Sequence, residues 1–330
     1  MTTPSFWYAP PGLLSTCLAP LGWMYASVTA HRLKRPAQRL SVPVICVGNL
    51  TAGGGGKTPL ARFVYGRAKA LTPDATPHFL SRGYGGTLPG PVQVNTERHT
   101  ADQVGDEPLL LAENGPCWVA KDRHAGAQAA IDAGASLIIQ DDGMQSPVPP
   151  KDRTLLTVKG HRGFGNGQAI PAGPLRESMA KGIARADALI SVGEPEHSSL
   201  LGLQLMVGQY QADPDAIARL QEGRWVSLAG IADPASFANL LTSQGVDIVD
   251  RIELADHAPL SDADMTAYAK RASEQNAKLV VTEKDWVRLS PEWRAQVKHL
   301  PISLVFDDEA CLDHLLKPLL SPAMEAQHGT

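Results

Sequence analysis

The segment Val42–Pro59, VPVICVGNLTAGGGGKTP, decides the fold. Val44, Ile45, Cys46 and Val47 form a short apolar run, the pattern of a strand covered on both faces of a parallel sheet. After Thr51 and Ala52 come Gly53, Gly54, Gly55 and Gly56. Lacking Cβ atoms, these let the backbone turn through positive φ and bring successive N–H groups close to an anion. Lys57 and Thr58 then open a helix whose N-terminal end adds to that positive field. The order predicts a phosphate-binding loop from Thr51 to Thr58, with Lys57 reaching the outer phosphates of a nucleotide and the Thr58 hydroxyl reaching Mg²⁺. The general spelling G-x-x-x-x-G-K-[ST] has glycine where this chain has Thr51. A flexible linker could carry the same letters, but such linkers seldom join a buried-strand pattern to a helix.

Around this loop the chain is 330 residues long, a length that suits two domains. A hydrophobic fraction of 43% and a net charge of -4 imply a packed core and argue against a general nucleic-acid surface. Cys17, Cys46, Cys117 and Cys311 are scattered, without zinc spacing, and read as reduced thiols of a cytoplasmic protein.

Upstream, Phe6 to Ala30 carries no charge, and Leu14, Leu18, Leu21, Tyr25 and Val28 recur at helical spacing. His31, Arg32, Lys34, Arg35 and Arg39 follow. No basic residue precedes the apolar run, unlike a signal peptide. Prolines and glycines interrupt it, and Trp7, Tyr8, Trp23 and Tyr25 favour an interface, so the expectation is a helix lying in the cytoplasmic leaflet. A helix packed on the protein's own core, or on a second subunit, has the same stripe.

Downstream, helix and strand patterns alternate. Strand His78–Leu80 runs into SRGYGG, placing Arg82 at a sheet edge where α/β proteins bind ligands. Asp106 and Glu107 open a helix, a pattern that N-terminal caps share. Strand Ser136–Gln140 ends in Asp141-Asp142-Gly143, a Walker B arrangement in which a carboxylate fixes Mg²⁺, though Asp-Gly is also an ordinary turn. Residues 160–177 are too rich in Gly and Pro for regular structure, and so long a loop is usually functional or disordered. Near Arg224 a second alternation starts and runs through strand Ile302–Phe306 and helix Glu309–Leu319, predicting a smaller parallel sheet. Asp256-His257 and Thr282–Asp285 follow strands in it, each readable as chemistry or as a solvated loop.

Taken in order, GNLTAGGGGKTP, SRGYGG, VGDEP, DDGMQ, GFGNGQAIPAGPLRE, ADH and TEKDWVR resemble the lipid A 4'-kinases, the tetraacyldisaccharide 4'-kinase family. The resemblance runs from Gly48 to Arg288. It implies an α/β fold with a P-loop, RecA-like parallel-sheet domain, a second, smaller α/β domain and a membrane-associated N-terminal helix. The corresponding ranges here are residues 1–36 for the helix, 37–210 for the kinase domain and 211–330 for the domain that closes the active-site cleft. It also implies transfer of the ATP γ-phosphoryl group to the 4'-hydroxyl of a tetraacyl glucosamine disaccharide 1-phosphate at the cytoplasmic face of the inner membrane, giving lipid IVA. Residues carried over are Asp106, His257 and Lys57 for catalysis and Thr51, Ala52, Gly53, Gly54, Gly55, Gly56, Lys57 and Thr58 for ATP. Thr58, Glu107, Asp141 and Asp142 fall in the Mg²⁺ environment, and Arg82, Arg123 and Arg176 are candidates for the glycolipid. Three positions depart from the family's usual residues: Gly55 for threonine, Ser146 for histidine and Lys159 for aspartate.

Two other readings stay open on sequence. A P-loop ATPase switch acting at the membrane without a lipid acceptor would usually carry a lysine where Ala52 stands. A membrane-binding module without catalysis would have no need of Lys57, Asp106 and His257 together.

Overall fold

The computed structural model describes residues 4–256 and 258–320. A short 3₁₀ turn, Ser5–Tyr8, leads into helix α1 (Leu13–Arg32). The chain then alternates through β1 (Val44–Asn49), α2 (Lys57–Leu71), β2 (Pro77–Ser81), β3 (Val92–Gln93), α3 (Ala101–Val104) and α4 (Asp106–Ala112). Next come β4 (Cys117–Val119), α5 (Arg123–Asp132), β5 (Leu137–Asp141), β6 (Arg153–Lys159), α6 (Met179–Ile183), β7 (Ala188–Val192) and β8 (Met206–Ala212). A second series follows: α7 (Pro214–Gln221), β9 (Arg224–Ala229), α8 (Pro234–Ser243), β10 (Asp247–Glu253) and α9 (Asp262–Ser273). It continues with β11 (Lys278–Thr282), α10 (Glu283–Trp286), α11 (Pro291–Gln296) and β12 (Lys298–Leu300), and the chain closes with β13 (Ile302–Phe306) and α12 (Ala310–Leu320).

The chain forms two compact units, one of Gln211–Ser303 and one that joins the residues up to Tyr210 to those from Leu304 on. The larger sheet has the order β13-β8-β7-β6-β1-β5-β2-β4-β3. From β8 to β4 every pairing is parallel, and β3 runs antiparallel on β4. All six residues of β1 are buried, as its unbroken apolar run requires of a central strand. The smaller sheet, β10-β9-β11-β12, is parallel throughout.

One boundary differs from the sequence reading. The alternation placed strand 302–306 and the last helix in the smaller domain, but β13 lies beside β8 in the larger sheet. The helix after it is fastened to α2: Arg67 pairs with Asp313 at 2.5 Å and Glu309 at 2.7 Å, and Phe63 meets Phe306 edge-on at 4.8 Å. Local patterning fixes an element's type; which sheet it joins depends on long-range partners.

Helix α1 is inside out. Its buried positions are Ser15, Gly22 and Thr29, seven residues apart, whereas Leu14, Leu21, Trp23, Met24 and Val28 are exposed. Of the expected stripe, only Leu18 is even half-buried. The small residues are needed for close approach, since a Cβ on Gly22 would come within 2.5 Å of the Ala169 carbonyl oxygen. The preceding turn is strapped to the same loop, with Trp7 Nε1–H donating to the Pro171 carbonyl at 3.0 Å and the Asn166 N–H donating to the Trp7 carbonyl at 2.8 Å. Gly22→Leu therefore lowers thermal stability by about 1–3 kcal/mol through overpacking, while Met24→Leu on the exposed side leaves the melting curve unchanged, both read by circular dichroism.

Candidate active site

The phosphate loop is held from inside and outside. Inside, buried Asn49 at the end of β1 donates from Nδ2 to the Thr51 carbonyl at 2.9 Å. Outside, the Gly-Pro-rich passage lies along the loop: the Ala52 N–H donates to the Pro174 carbonyl at 2.8 Å and the Arg176 N–H to the Leu50 carbonyl at 2.7 Å. Gly56 closes the loop at φ 84, in the left-handed region, and α2 starts on the next residue. That residue is Lys57, whose side chain is only 6% exposed.

Register places the acidic turn beside it. Val47 of β1 pairs with Asp141 of β5, and the Asp142 N–H donates back to the Val47 carbonyl at 2.9 Å. Asp142 itself sits at φ 51, an uncommon conformation for a residue with a Cβ. It is held there from several sides. Arg176 Nη1 donates to both its carboxylate oxygens, at 2.8 and 2.9 Å. Lys57 Nζ stands 3.8 Å from Oδ2, and Arg123 Nη2 donates to the Asp142 carbonyl at 3.1 Å. Burial would raise the Asp142 carboxyl, but Lys57, then Arg176 and Arg123, outweigh it and hold the group below the usual carboxylate range.

Asp141 is the opposite case. It is 1% exposed, and neither carboxylate oxygen has a hydrogen-bond partner among the described residues. Burial, followed by the charge of Glu107, pushes its carboxyl well above the ordinary value, with Lys57 opposing. A buried carboxylate without donors fits a cation. Among the described residues no three His, Cys, Asp or Glu form a ready-made metal cage. That is compatible with Mg²⁺, which usually takes one or two carboxylates together with substrate phosphates.

The second acidic pair comes from the start of α4. Asp106 is buried, and its Oδ1 accepts the Glu107 N–H at 3.0 Å. The stretch after SRGYGG ties down the preceding helix: the Thr87 and Leu88 N–H groups donate to the Asp102 and Gln103 carbonyls at 3.0 and 2.9 Å. Arg82 is exposed just past β2. It is near enough to Arg123 to lower that guanidinium's pKa, behind the larger effect of burial.

The structure thus brings Lys57, Asp142, Arg123 and Arg176 into direct contact and sets Glu107 electrostatically beside Asp141. Thr58 is half-buried in the first turn of α2. His257 lies outside the described residues. Gln145 and Glu177 stand within the quoted motifs without having been singled out, and Arg185 lies outside them. Gln145 Nε2 donates to the Asn49 carbonyl and to Glu177 Oε1, both at 3.0 Å, and Arg185 donates to Glu177 Oε2 at 2.6 Å. With Glu177 only 2% exposed, this network joins the P-loop strand, the acidic turn and the Gly-Pro passage. A charged residue directly after the apolar and Gly-Pro run IPAGPL was the available signal.

The three departures also find places. Gly55 faces Asn49: a Cβ there would lie 2.4 Å from Nδ2, so a side chain would have to displace the amide. The Ser146 hydroxyl donates to the Val148 carbonyl at 2.9 Å, and its own carbonyl accepts from Lys151, whose pKa burial lowers to about 8. Lys159 Nζ hydrogen-bonds the Tyr210 hydroxyl at 3.0 Å.

Because Asp141 is a buried carboxylate with no hydrogen-bond donor among the described residues, Asp141→Asn is expected to leave the protein's stability unchanged or raise it by about 1 kcal/mol while abolishing catalysis. Paired thermal melts and activity assays check this; a large loss of stability would mean that the carboxylate is structural.

A family described as Tetraacyldisaccharide-1-P 4'-kinase matches residues 14–320. The tetraacyldisaccharide 4'-kinase of Rhodospirillum centenum is 47% identical over 331 residues, covering 97% of both chains. That of Dinoroseobacter shibae is 47% identical over 339 residues, 98% of this chain and 99% of that one. Among solved structures, LpxK from Aquifex aeolicus in complex with ATP superposes with a TM-score of 0.75 at 25% identity, covering 94% of this chain and all of that one. With the family matched over residues 14–320 and relatives of this similarity matched end to end, the chain belongs to the tetraacyldisaccharide-1-P 4'-kinase family.

Proposed function

We propose that this chain transfers the γ-phosphoryl group of ATP to the 4'-hydroxyl of a tetraacyl glucosamine disaccharide 1-phosphate, giving lipid IVA in lipid A biosynthesis. The observation that carries the reading is the gathering, around one phosphate loop, of a buried lysine, an ion-paired aspartate and a buried aspartate without donors. In-line transfer to a sugar hydroxyl needs an aligned polyphosphate, offset of its charge and a group to take the hydroxyl proton late in a loose transition state.

This chain's residues meet those needs in distinct ways. Backbone N–H groups from Gly53 to Thr58 hold the phosphates, the Ala52 N–H being engaged by the Pro174 carbonyl, and Lys57 balances charge on the transferring group. Thr58 and Asp141, with Glu107 and Asp142 nearby, would hold Mg²⁺, which would offset charge on the outer phosphates. Asp142, fixed by Arg176 and Arg123, keeps the Lys57 ammonium at the loop. We assign Asp106 as the acceptor of the hydroxyl proton and His257 as the residue that orients it or relays the proton onward. Arg82 and Arg123 are assigned to the anionic head of the glycolipid.

The substrate's acyl chains fit the inside-out helix. Withdrawing chains from a bilayer costs about 0.8 kcal/mol per methylene, so the enzyme must act at the membrane surface. Leu14, Leu21, Trp23, Met24 and Val28 present an apolar face, with Lys34 and Arg35 exposed beyond its end. α1 is long and apolar enough to cross a membrane by length and composition. We assign it to the cytoplasmic leaflet of the inner membrane, in peripheral or monotopic association, with the basic cluster against anionic headgroups.

With γ-labelled ATP, Mg²⁺ and detergent-dispersed acceptor, label is expected on the lipid, and Lys57→Ala and Asp106→Ala are each expected to lose about 100-fold or more of the transfer rate. ATP turnover without labelled lipid would overturn the reading. Replacing Leu14, Leu21, Met24 and Val28 together by serine is expected to weaken sedimentation with anionic phospholipid vesicles about tenfold or more while sparing transfer in detergent; unchanged sedimentation would remove the helix from the membrane.

A further inference from the structure

In the larger sheet β1 lies between β5 and β6, so the phosphate loop has two flanks. The acidic turn leaves β5 on one of them. The other is built by the ends of β6, β7 and β8. Register brings Lys159, Val192 and Gly208 side by side across these three strands, and Tyr210 follows two residues along β8, on the Gly208 face. The Tyr210 side chain reaches the loop: a Cβ on Gly56 would lie 3.2 Å from its hydroxyl oxygen and 2.8 Å from Val192 Cγ2. Lys159 Nζ donates to that hydroxyl at 3.0 Å and stands 4.4 Å from the ring centroid. Since α2 starts at Lys57, the lysine and tyrosine stand against the closing end of the loop.

Among the described residues Lys159 has no carboxylate partner; its ammonium is engaged by Tyr210 alone. Glu194, just past β7, is held by Gln209 Nε2 at 2.7 Å. An ammonium has three donors, and the Tyr210 hydroxyl uses one of them. By accepting from Lys159, the phenol keeps its own proton for donation. Spare donors of two half-buried side chains therefore converge beside a glycine loop, which is the chemistry of an anion contact. Covering the Tyr210 ring would need only an aliphatic side chain. Lys57 and the acidic turn draw the outer phosphates of a nucleotide towards the β5 flank, so the remainder of the molecule passes along the loop to the β6–β8 flank. The first anion to arrive there is the α-phosphate.

We propose that Lys159 is a nucleotide-binding residue whose ammonium contacts the α-phosphate of ATP, held in place by the Tyr210 hydroxyl. The inference rests on the reading of Thr51–Thr58 as the ATP loop and adds to it a contact from outside the loop. Because the family usually has aspartate where Lys159 stands, the contact is a property of this chain.

Calorimetric titration of the full-length protein in detergent and Mg²⁺ with ATP, and separately with ADP, reads the contact without any acceptor lipid. Lys159→Met keeps the aliphatic stem over the ring and removes the charge. It is expected to raise Kd for both nucleotides about 5–20-fold, with an unchanged melting midpoint. Tyr210→Phe is expected to raise both about 2–5-fold, and Lys159→Arg to stay within about threefold of wild type. In turnover, Lys159→Met raises KM for ATP by the same factor as Kd, with kcat and the glycolipid KM within about twofold. An unchanged Kd in Lys159→Met, a loss seen with ATP and absent with ADP, or a rise in the glycolipid KM in place of that for ATP would each overturn the assignment. The expected shifts in a protein that transfers no label to lipid would leave it standing and overturn the kinase reading. Wild-type protein that binds neither nucleotide would overturn both.

Discussion

The constraint on which the larger unit depends is the burial of ionised groups at the end of one parallel sheet. Lys57, Asp106 and Asp141 are each at most 6% exposed, and Asp142 sits beside them. Charges withdrawn from water this far require partners or their protonation changes. Asp142 meets the requirement with Arg176, Lys57 and Arg123, whereas Asp141 has no hydrogen-bond donor among the described residues. Two adjacent aspartates thus have opposite electrostatic lives, one a permanent anion that fixes side chains, the other open to a cation.

Supplying Arg176 imposes rigidity on an irregular segment. The Gly-Pro passage has no helix or strand to hold it, so its backbone groups bond to the P-loop on one side and to the N-terminal turn on the other. Trp7, the 166–172 loop, Pro174 and Ala52 form a continuous chain of contacts from the apolar N-terminus to the phosphate loop. Helix α1 joins that chain through small residues and leaves its large apolar side chains outward. A soluble helix would do the reverse. The arrangement is the one that motivates the membrane association proposed for α1.

The smaller unit shows the same economy at lower charge density. One buried aspartate, Asp285, gathers the ends of two strands and directs an arginine at a neighbouring loop. In both units polar groups at carboxyl edges are organised by a buried carboxylate, because only there do several loops of a parallel sheet bring free N–H groups and side chains together.

Much of this was legible in the chain itself. The apolar run before the glycines fixed β1 as a central strand, the glycines and Lys57-Thr58 marked the turn from β1 into α2, and the motif order indicated the family. These are local signals, set by backbone freedom at glycine, helix polarity and burial of contiguous apolar residues, and they survive without knowledge of neighbours. Other features needed the tertiary structure. The division of labour between Asp141 and Asp142 depends on which arginines reach them, and Arg176 arrives from 34 residues away. The inward face of α1 is its small side because Ala169 and Ala172 approach Gly22, which the apolar periodicity of α1 does not record. The return of β13 and α12 to the larger unit rests on β8, Arg67 and Phe63. Sequence by itself determined element types and the chemistry carried at each strand end, because those follow from the residue and its near neighbours. Only the fold decided which charges are paired, which face is covered and which sheet receives the last strand, because those energies belong to contacts between distant parts of the chain.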